Sequence, residues 1–254
     1  MSNLEIKIFN QLKDNYSYLV ESKQSEYVDI VDPADSSQHY EYIKNKNLKL
    51  NSILLTHHHS DHTSGVNDLL KIYPSVKVYS PNKSIKGTTN IIKNNEIINT
   101  KINTYEVIAT PGHTLDHVIF YDKINNLLFS GDTLFSLGCG RVFEGTFEQM
   151  YSSLKLVNEL PNSTVVYCGH EYTLSNLKFL NSILNNEKLL IDFEITLKDK
   201  MEKYGRTIPF KLSLEKQMNP FLNPNVVIFR KIKKQYNLSD FQMFKFMREK
   251  KDSF

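Results

Sequence analysis

Tryptophan is absent from this chain of 254 residues, and cysteine nearly so, with Cys139 and Cys168 the only two. Two cysteines cannot build the bridged framework of a small secreted domain, so reduced thiols in the cytosol are the simpler expectation. No apolar run is long enough to span a bilayer. The first residues, Met1-Ser2-Asn3-Leu4-Glu5, hold neither an apolar signal core nor an Arg-rich presequence. The expected compartment is cytoplasmic, with no membrane partner. A dominant sign of charge is also missing. Lys and Arg number 31 against 28 Asp and Glu, a formal +3, too little to argue for nucleic acid and compatible with a small anionic substrate. No internal repeat or low-complexity segment stands out. At this length the chain can bury a substantial core without disulfide support, as one large domain or one plus a small one.

What is abundant is histidine in one place. Residues 56–62 read Thr-His-His-His-Ser-Asp-His and follow the apolar run Ile53-Leu54-Leu55. Packing does not require imidazole at that density, whereas neutral imidazole and carboxylate are the ligands zinc, iron and manganese take at neutral pH. Three further segments repeat the arrangement. Val107-Ile108-Ala109 leads to Pro111-Gly112-His113, Leu127-Leu128-Phe129 to Gly131-Asp132, and Val165-Val166-Tyr167 to Gly169-His170. Each is a short apolar strand candidate ending in a turn with a potential ligand directly after it. Four strand ends delivering ligands point to one site at the carboxyl edge of the sheets.

Elsewhere the first two-thirds of the chain mixes strand and helix patterns. Strands are expected at 5–9, 17–20, 27–31 and 76–79, with a turn at Asp32-Pro33. Helices are expected at 38–46, at 66–73 ended by Pro74, and at 146–160 ended by Pro161. Two sheets with helices outside follow from this mixture. From Leu174 the texture becomes helical: 174–184, 186–203, a looser stretch holding Pro209, Pro220 and Pro224, then 226–236 and 240–250 with Ser239 as N-cap. The expected organisation is a catalytic domain over 1–174 and a C-terminal α-helical, substrate-binding domain over 175–254.

Alternation along an extended segment points His57 and His59 the same way, toward one ion, and turns His58 aside. Asp61 and His62, at the turn into the next helix, can serve a second ion. His113 can complete the first set and His170 the second, with Asp132 bridging two cations. Hydroxide held between two such ions is a nucleophile at neutral pH, which is hydrolysis machinery. His39 and His58 read as ordinary core or surface residues, and His117 as buried or as a support behind a ligand. A structural zinc site would favour a closed shell of Cys, and this set is His and Asp.

At these residues the sequence resembles the metallo-β-lactamase superfamily, an αββα sandwich fold, and within it the glyoxalase II (hydroxyacylglutathione hydrolase) family. The motifs are residues 56–62, then Pro111-Gly112-His113-Thr114, Ser130-Gly131-Asp132-Thr133 and residues 168–173, in that order. Residues 134–145, Asn219-Pro220-Phe221 and the Arg248-Glu249-Lys250-Lys251-Asp252 element also match the family. The resemblance implies His57, His59 and His113 on one metal, Asp61, His62 and His170 on the other, and Asp132 on both, with Asp61 and Asp132 taking part in catalysis. It implies two divalent ions, zinc first, with iron or manganese as alternatives. Arg141, Phe143, Tyr172, Arg248 and Lys251 would line the glutathione site, where cationic donors suit the two carboxylates of glutathione.

The implied reaction is hydrolysis of S-2-hydroxyacylglutathione, S-D-lactoylglutathione above all, to D-lactate and glutathione by a metal-bridged hydroxide, the second step of methylglyoxal detoxification. The expected partner is that small molecule, with no nucleic acid, for a monomer or weak homodimer. Phe143 stands where the family often has Tyr, Arg141 where Lys is common, and Leu115-Asp116 where a small residue and Gly usually precede the His117 position. The alternative is a persulfide dioxygenase-like mononuclear iron enzyme of the same fold. That enzyme would share His57, His113 and Asp132 but not need the basic C-terminal pair.

Overall fold

The computed structural model of the chain describes residues 4–184 and 187–254. The first three residues and the expected helix start at Asn186 lie outside the described residues. The backbone forms two compact units, Met1–Ala109 with Asp116–Gly131, and Thr110–Leu115 with Asp132–Phe254. The chain therefore passes from one unit to the other within single peptide bonds at 109/110, 115/116 and 131/132.

In the first unit, strands β1 (Leu4–Gln11), β2 (Asn15–Ser22) and β3 (Tyr27–Val31) pair antiparallel in sequence order. Helix α1 (Ser37–Asn45) then returns the chain so that β4 (Lys49–Leu54) runs parallel to β3. The short helices α2 (Ser60–Thr63) and α3 (Val66–Ile72) lead to β5 (Lys77–Ser80) and β6 (Asn90–Ile91), again parallel. Period-two alternation decides which side chain goes where. Leu19, Val28, Ile30, Ile53 and Val78 face Ile43 of α1 and Val66 and Leu69 of α3 in one buried cluster.

The opposite face of that sheet meets a second set of strands. These are β7 (Ile97–Asn99), β8 (Thr104–Ala109), β9 (Val118–Asp122) and β10 (Leu127–Gly131), antiparallel neighbours in that order. Tyr18 packs on Phe129 at 5.4 Å between ring centroids, and Tyr105 on Phe129 at 6.3 Å. Fully burying each such ring contributes roughly 1.5–3 kcal/mol. The expected strands at 5–9, 17–20 and 27–31 lie within β1, β2 and β3, and the expected helices at 38–46 and 66–73 coincide with α1 and α3 to within a residue.

The second unit opens with a small hairpin of β11 (Leu134–Phe135) and β12 (Gly138–Cys139). Helix α4 (Phe147–Glu159) follows, and a Thr146–Gln149 capping box starts it. Strand β13 (Val165–Cys168) leads into α5 (Thr173–Leu184) and α6 (Lys188–Tyr204). Strand β14 (Phe210–Lys211) pairs antiparallel with β13 and runs into α7 (Leu212–Met218). Two further helices, α8 (Arg230–Gln235) and α9 (Asp240–Asp252), close the chain, and Ser239 caps α9 reciprocally with Gln242.

The expected continuous helix over 226–236 is corrected by the structure. Val227–Phe229 is a 3₁₀ turn and only Arg230–Gln235 is α-helical. Val226, Val227 and Ile228 are β-branched and stiff at χ1, which disfavours an α-helical start there.

Glu215 of α7 is fully buried, and burial pushes its carboxyl up to about 7 even though Leu137, Ser136 and Asn219 donate hydrogen bonds to it. The folded chain therefore keeps this proton at pH values where the unfolded chain has released it. The carboxyl adds stability below about pH 4.5, and that stability is lost as pH rises through about 7. The span corresponds to about 3 kcal/mol. Glu215→Gln has no proton to lose, so its melting temperature relative to wild type should rise between pH 5 and pH 8. Thermal melts of both proteins at the two pH values test this, and a constant difference would refute it.

Candidate metal centre

The first unit carries one set of ligand atoms. The parallel register that pairs Val31 with Leu54 brings the residues after β3 beside those after β4. Asp32, in the left-handed region at φ 49°, turns its carboxylate onto that second loop. It accepts from the Thr56 N–H at 2.8 Å, the Thr56 hydroxyl at 2.7 Å and His62 Nδ1 at 3.0 Å. The Thr56 hydroxyl, its proton committed to Asp32, lies 3.0 Å from His57 Nδ1 and can accept from it. Acceptors behind Nδ1 fix the tautomer that leaves the Nε2 lone pairs of His57 and His62 for a cation.

His57 Nε2 lies 3.1 Å from His59 Nδ1, and the His57 and His62 rings are 4.3 Å apart. Asp61 places Oδ2 3.9 Å from His62 Nε2, and buried Asn15 donates to that same oxygen at 3.0 Å. His58 turns instead to Asp116, 2.9 Å away. His117 is buried and stacks on His57 at 4.8 Å, and His39 is a core residue bonded to Ser17 Oγ at 2.7 Å. Burial pushes His39 down to about 3, so it stays neutral.

Gly131 ends β10 at φ 46°, and a Cβ there would lie 2.6 Å from Thr56 Oγ1 and 2.8 Å from His117 Nε2. Only glycine lets the chain pass this point into Asp132.

The second unit carries the other set, and Asp132 is at its centre. Its Oδ2 lies 3.4 Å from His113 Nε2 and 3.3 Å from His170 Nε2. His113 Nδ1 donates to the Arg141 carbonyl at 2.8 Å, which again leaves Nε2 for a cation. Gly140 makes room for this arrangement, because a Cβ there would collide with the Asp132 carbonyl oxygen.

The donor atoms pass a simple test of fit. Two ligands about 2.0–2.1 Å from one ion in a tetrahedral shell are separated by about 3.3–3.4 Å. The edges from Asp132 to His113 and to His170, at 3.4 and 3.3 Å, have that length, and His57–His59 is close to it at 3.1 Å. Imidazole and carboxylate clusters of this kind bind divalent metal.

Around this second set lie aromatic and cationic side chains. Tyr172 stacks on His170 at 4.8 Å with the rings 2° from parallel, and Phe135 meets Tyr172 edge-on at 5.1 Å. Phe143 is exposed, its ring 5.2 Å from that of His113. Arg141 is exposed and reaches Asp252 at 3.4 Å. Arg248, read from sequence as a glutathione contact, is buried. The Cys139 carbonyl (2.9 Å) and Asp252 (2.8 and 3.1 Å) take three of its five N–H groups. Lys251 donates to the Ser175 carbonyl at 3.1 Å, and burial, with Arg248 and Arg141 adding repulsion, pushes it down to about 8. Arg141 and Arg248 thus share the Asp252 carboxylate with the Lys251 ammonium close by, an excess of positive charge that favours an incoming anion. Both cysteines are free and buried, and burial pushes the Cys139 thiol up to about 11.

The sequence reading gave no role in the site or its support to Asp32, Thr56, Asn15 or Glu215. For Asp32 the signal was present: it follows the apolar strand Tyr27–Val31 just as the four ligand segments follow theirs, but the Asp-Pro pair reads as a turn.

Family models match the chain over residues 12–254. A family described as "Metallo-beta-lactamase superfamily" matches residues 12–170, and one described as "Hydroxyacylglutathione hydrolase C-terminus" matches 171–254. The chain is 40% identical over 246 residues to a hydroxyacylglutathione hydrolase of Pectobacterium carotovorum, covering 96% of this chain and 97% of the relative. It is 39% identical, with the same coverage, to the enzyme so named in Erwinia tasmaniensis. Among solved structures, ETHE1 from Myxococcus xanthus superposes with a TM-score of 0.66 at 21% identity, covering 98% of this chain and all of that one. A metallo-beta-lactamase from Staphylococcus aureus gives 0.65 at 23% identity, covering 98% of this chain and 72% of that one. These two likenesses establish the fold, an αββα metallo-β-lactamase architecture followed by a helical C-terminal region.

Proposed function

Because this chain belongs to the hydroxyacylglutathione hydrolases of the metallo-β-lactamase superfamily, we propose that its metal centre hydrolyses S-2-hydroxyacylglutathione, S-D-lactoylglutathione first among them, to the 2-hydroxy acid and glutathione. One observation carries this reading. A single chain joins an imidazole–carboxylate metal set to a C-terminal helix bearing Arg248 and Lys251, and each part matches its own segment of this family. A mononuclear iron oxygenase would need neither the second donor set nor that helix, and the curated relatives carry the hydrolase name.

His57, His59 and His113 would hold one ion, Asp61, His62 and His170 a second, with Asp132 shared. The equal edges from Asp132 to His113 and His170 support that sharing. Bound divalent ions supply a hydroxide nucleophile at neutral pH and a Lewis acid for the thioester carbonyl. The protein's part is to hold the donors and the substrate. Asp32 fixes His62 directly and His57 through Thr56, and Asn15 fixes Asp61. Asp61 would also help to orient the attacking hydroxide. The departing thiolate is a stable anion, so no strong general acid is required of the chain.

Arg141, Arg248 and Lys251 would attract the glutathione carboxylates, while Phe143 and Tyr172 would line the glutathione site beside them. Phe143 gives the peptide a ring face in place of a hydroxyl, and Arg141 can pair bidentately with a carboxylate. The proposal includes zinc as the metal, the cytosol as the compartment, a monomer or weak homodimer, and a functional boundary at 174/175. Among the described residues no helix is long and apolar enough to cross a membrane.

The test is hydrolysis of S-D-lactoylglutathione by purified protein, followed by loss of thioester absorbance, with metal measured on the same sample. Turnover with about two ions per chain is the expected result. A fully metallated protein without turnover would overturn the reading.

A further inference from the structure

Three buried side chains grip the turn of the β11–β12 hairpin. Glu215 accepts from the Ser136 hydroxyl with Oε1 and from the Leu137 N–H with Oε2, each at 2.7 Å. Asn219, at the C-cap of α7, donates to Glu215 Oε2 and to the Gly138 carbonyl, both at 3.0 Å. Asn176 of α5 donates to the Ser136 carbonyl at 2.9 Å. Leu137 is held at φ 58°, a conformation that L side chains other than Asn and Asp adopt rarely. The residue entering this turn is Phe135, whose ring meets Tyr172 edge-on at 5.1 Å and His170 at 6.0 Å.

We propose that Glu215 is a positioning residue for thioester binding: by fixing the Ser136–Leu137 turn it makes Phe135 hold Tyr172 in its stack on His170. The proposal rests on the hydrolase reading above, in which Tyr172 flanks the substrate. Packing alone does not call for a carboxylate here, since a buried apolar residue would fill the same space without the cost of desolvating an acid. The elevated pKa of Glu215 is the mark of that cost. What the side chain offers in place of an apolar one is two polar atoms set to pair with adjacent residues, the hydroxyl of Ser136 and the backbone N–H of Leu137. Without them the left-handed Leu137 loses its restraint, and the Phe135 ring beside it shifts. The effect would fall on substrate affinity more than on chemistry, because Glu215 touches none of the proposed metal ligands.

Glu215→Leu keeps the volume and removes both acceptors. It should raise KM for S-D-lactoylglutathione about tenfold while kcat stays within about threefold, and weaken binding of the inert thioether S-hexylglutathione about tenfold by calorimetry. Glu215→Gln can still accept from Leu137 and donate to Ser136, and should restore KM to within about threefold of wild type. Leu154→Ala, in the buried core of α4, supplies a destabilised control that should leave KM unchanged. Should Glu215→Leu fail to fold, Ser136→Ala removes one half of the same clamp, and a raised KM supports the proposal while an unchanged one overturns it. A folded Glu215→Leu with wild-type KM, or a Leu154→Ala that raises KM equally, also overturns it. A wild-type protein that neither turns over the thioester nor binds the thioether overturns the hydrolase reading and this proposal together; normal wild-type turnover with unaffected variants overturns the positioning role alone.

Discussion

Asp132→Asn should lose most of its bound metal and at least about 10²–10³-fold in thioester turnover, the scale seen when one electrostatic stabiliser is removed from an active site. The carboxylate Oδ2 lies 3.4 Å from His113 Nε2 and 3.3 Å from His170 Nε2, so a single oxygen faces both histidines. An amide of the same shape carries no charge to offset two cations and presents an N–H₂ group where a lone pair is needed. The backbone should be undisturbed, since the room that Gly140 leaves for the residue 132 carbonyl does not depend on the side chain's charge. Elemental analysis of metal and hydrolysis of S-D-lactoylglutathione on the same preparation check this. A variant with wild-type metal and rate would show that Asp132 is not shared by two ions.

Asp32→Ala has the second-largest expected effect, although Asp32 is not itself a proposed ligand. Its buried carboxylate receives the Thr56 N–H, the Thr56 hydroxyl and His62 Nδ1. Alanine leaves these donors without their acceptor, at a cost of about 1–3 kcal/mol for each one that stays buried and unsatisfied. His62 also loses the group that fixes its tautomer, and His57 loses it at one remove through Thr56. Metal affinity should fall about 10–100-fold, the range found for partners that orient metal-bound histidines. Competition against a chelator measures the affinity and a thermal melt the stability. If metal affinity is unchanged while the melting temperature falls, Asp32 serves the strand junction and not the centre.

The donors proposed for the metal were readable because their signal is local. An apolar strand, a turn and an imidazole or carboxylate lie within a few residues of one another, as in Leu127–Gly131 followed by Asp132. The cap of α9 was equally local, with Ser239 facing Gln242 three residues on. Helix α7 was hidden for the opposite reason. It is seven residues long and lies between Pro209 and Pro220. Its buried positions are Leu212, Glu215 and Met218, so a charged residue interrupts the apolar stripe that would have announced it. Arg248 was legible as a cation of the C-terminal helix but not as a buried one, because burial depends on the Cys139 carbonyl 109 positions earlier in the chain.

The sequence by itself determined the chemistry on offer: imidazole and carboxylate at four strand ends, and a cationic C-terminal helix. Only the tertiary structure decided what stands behind each group. Asp32 reaches His62 across 30 residues because β3 and β4 pair in parallel. His113 is oriented by the carbonyl of Arg141, and Glu215 reaches the Ser136–Leu137 turn across nearly 80 residues. Ligand identity resides in side chains, which sequence spells out. Ligand orientation resides in non-local hydrogen bonds, often to backbone atoms that every residue possesses, and those partners are chosen only when the strands pair and the helices pack.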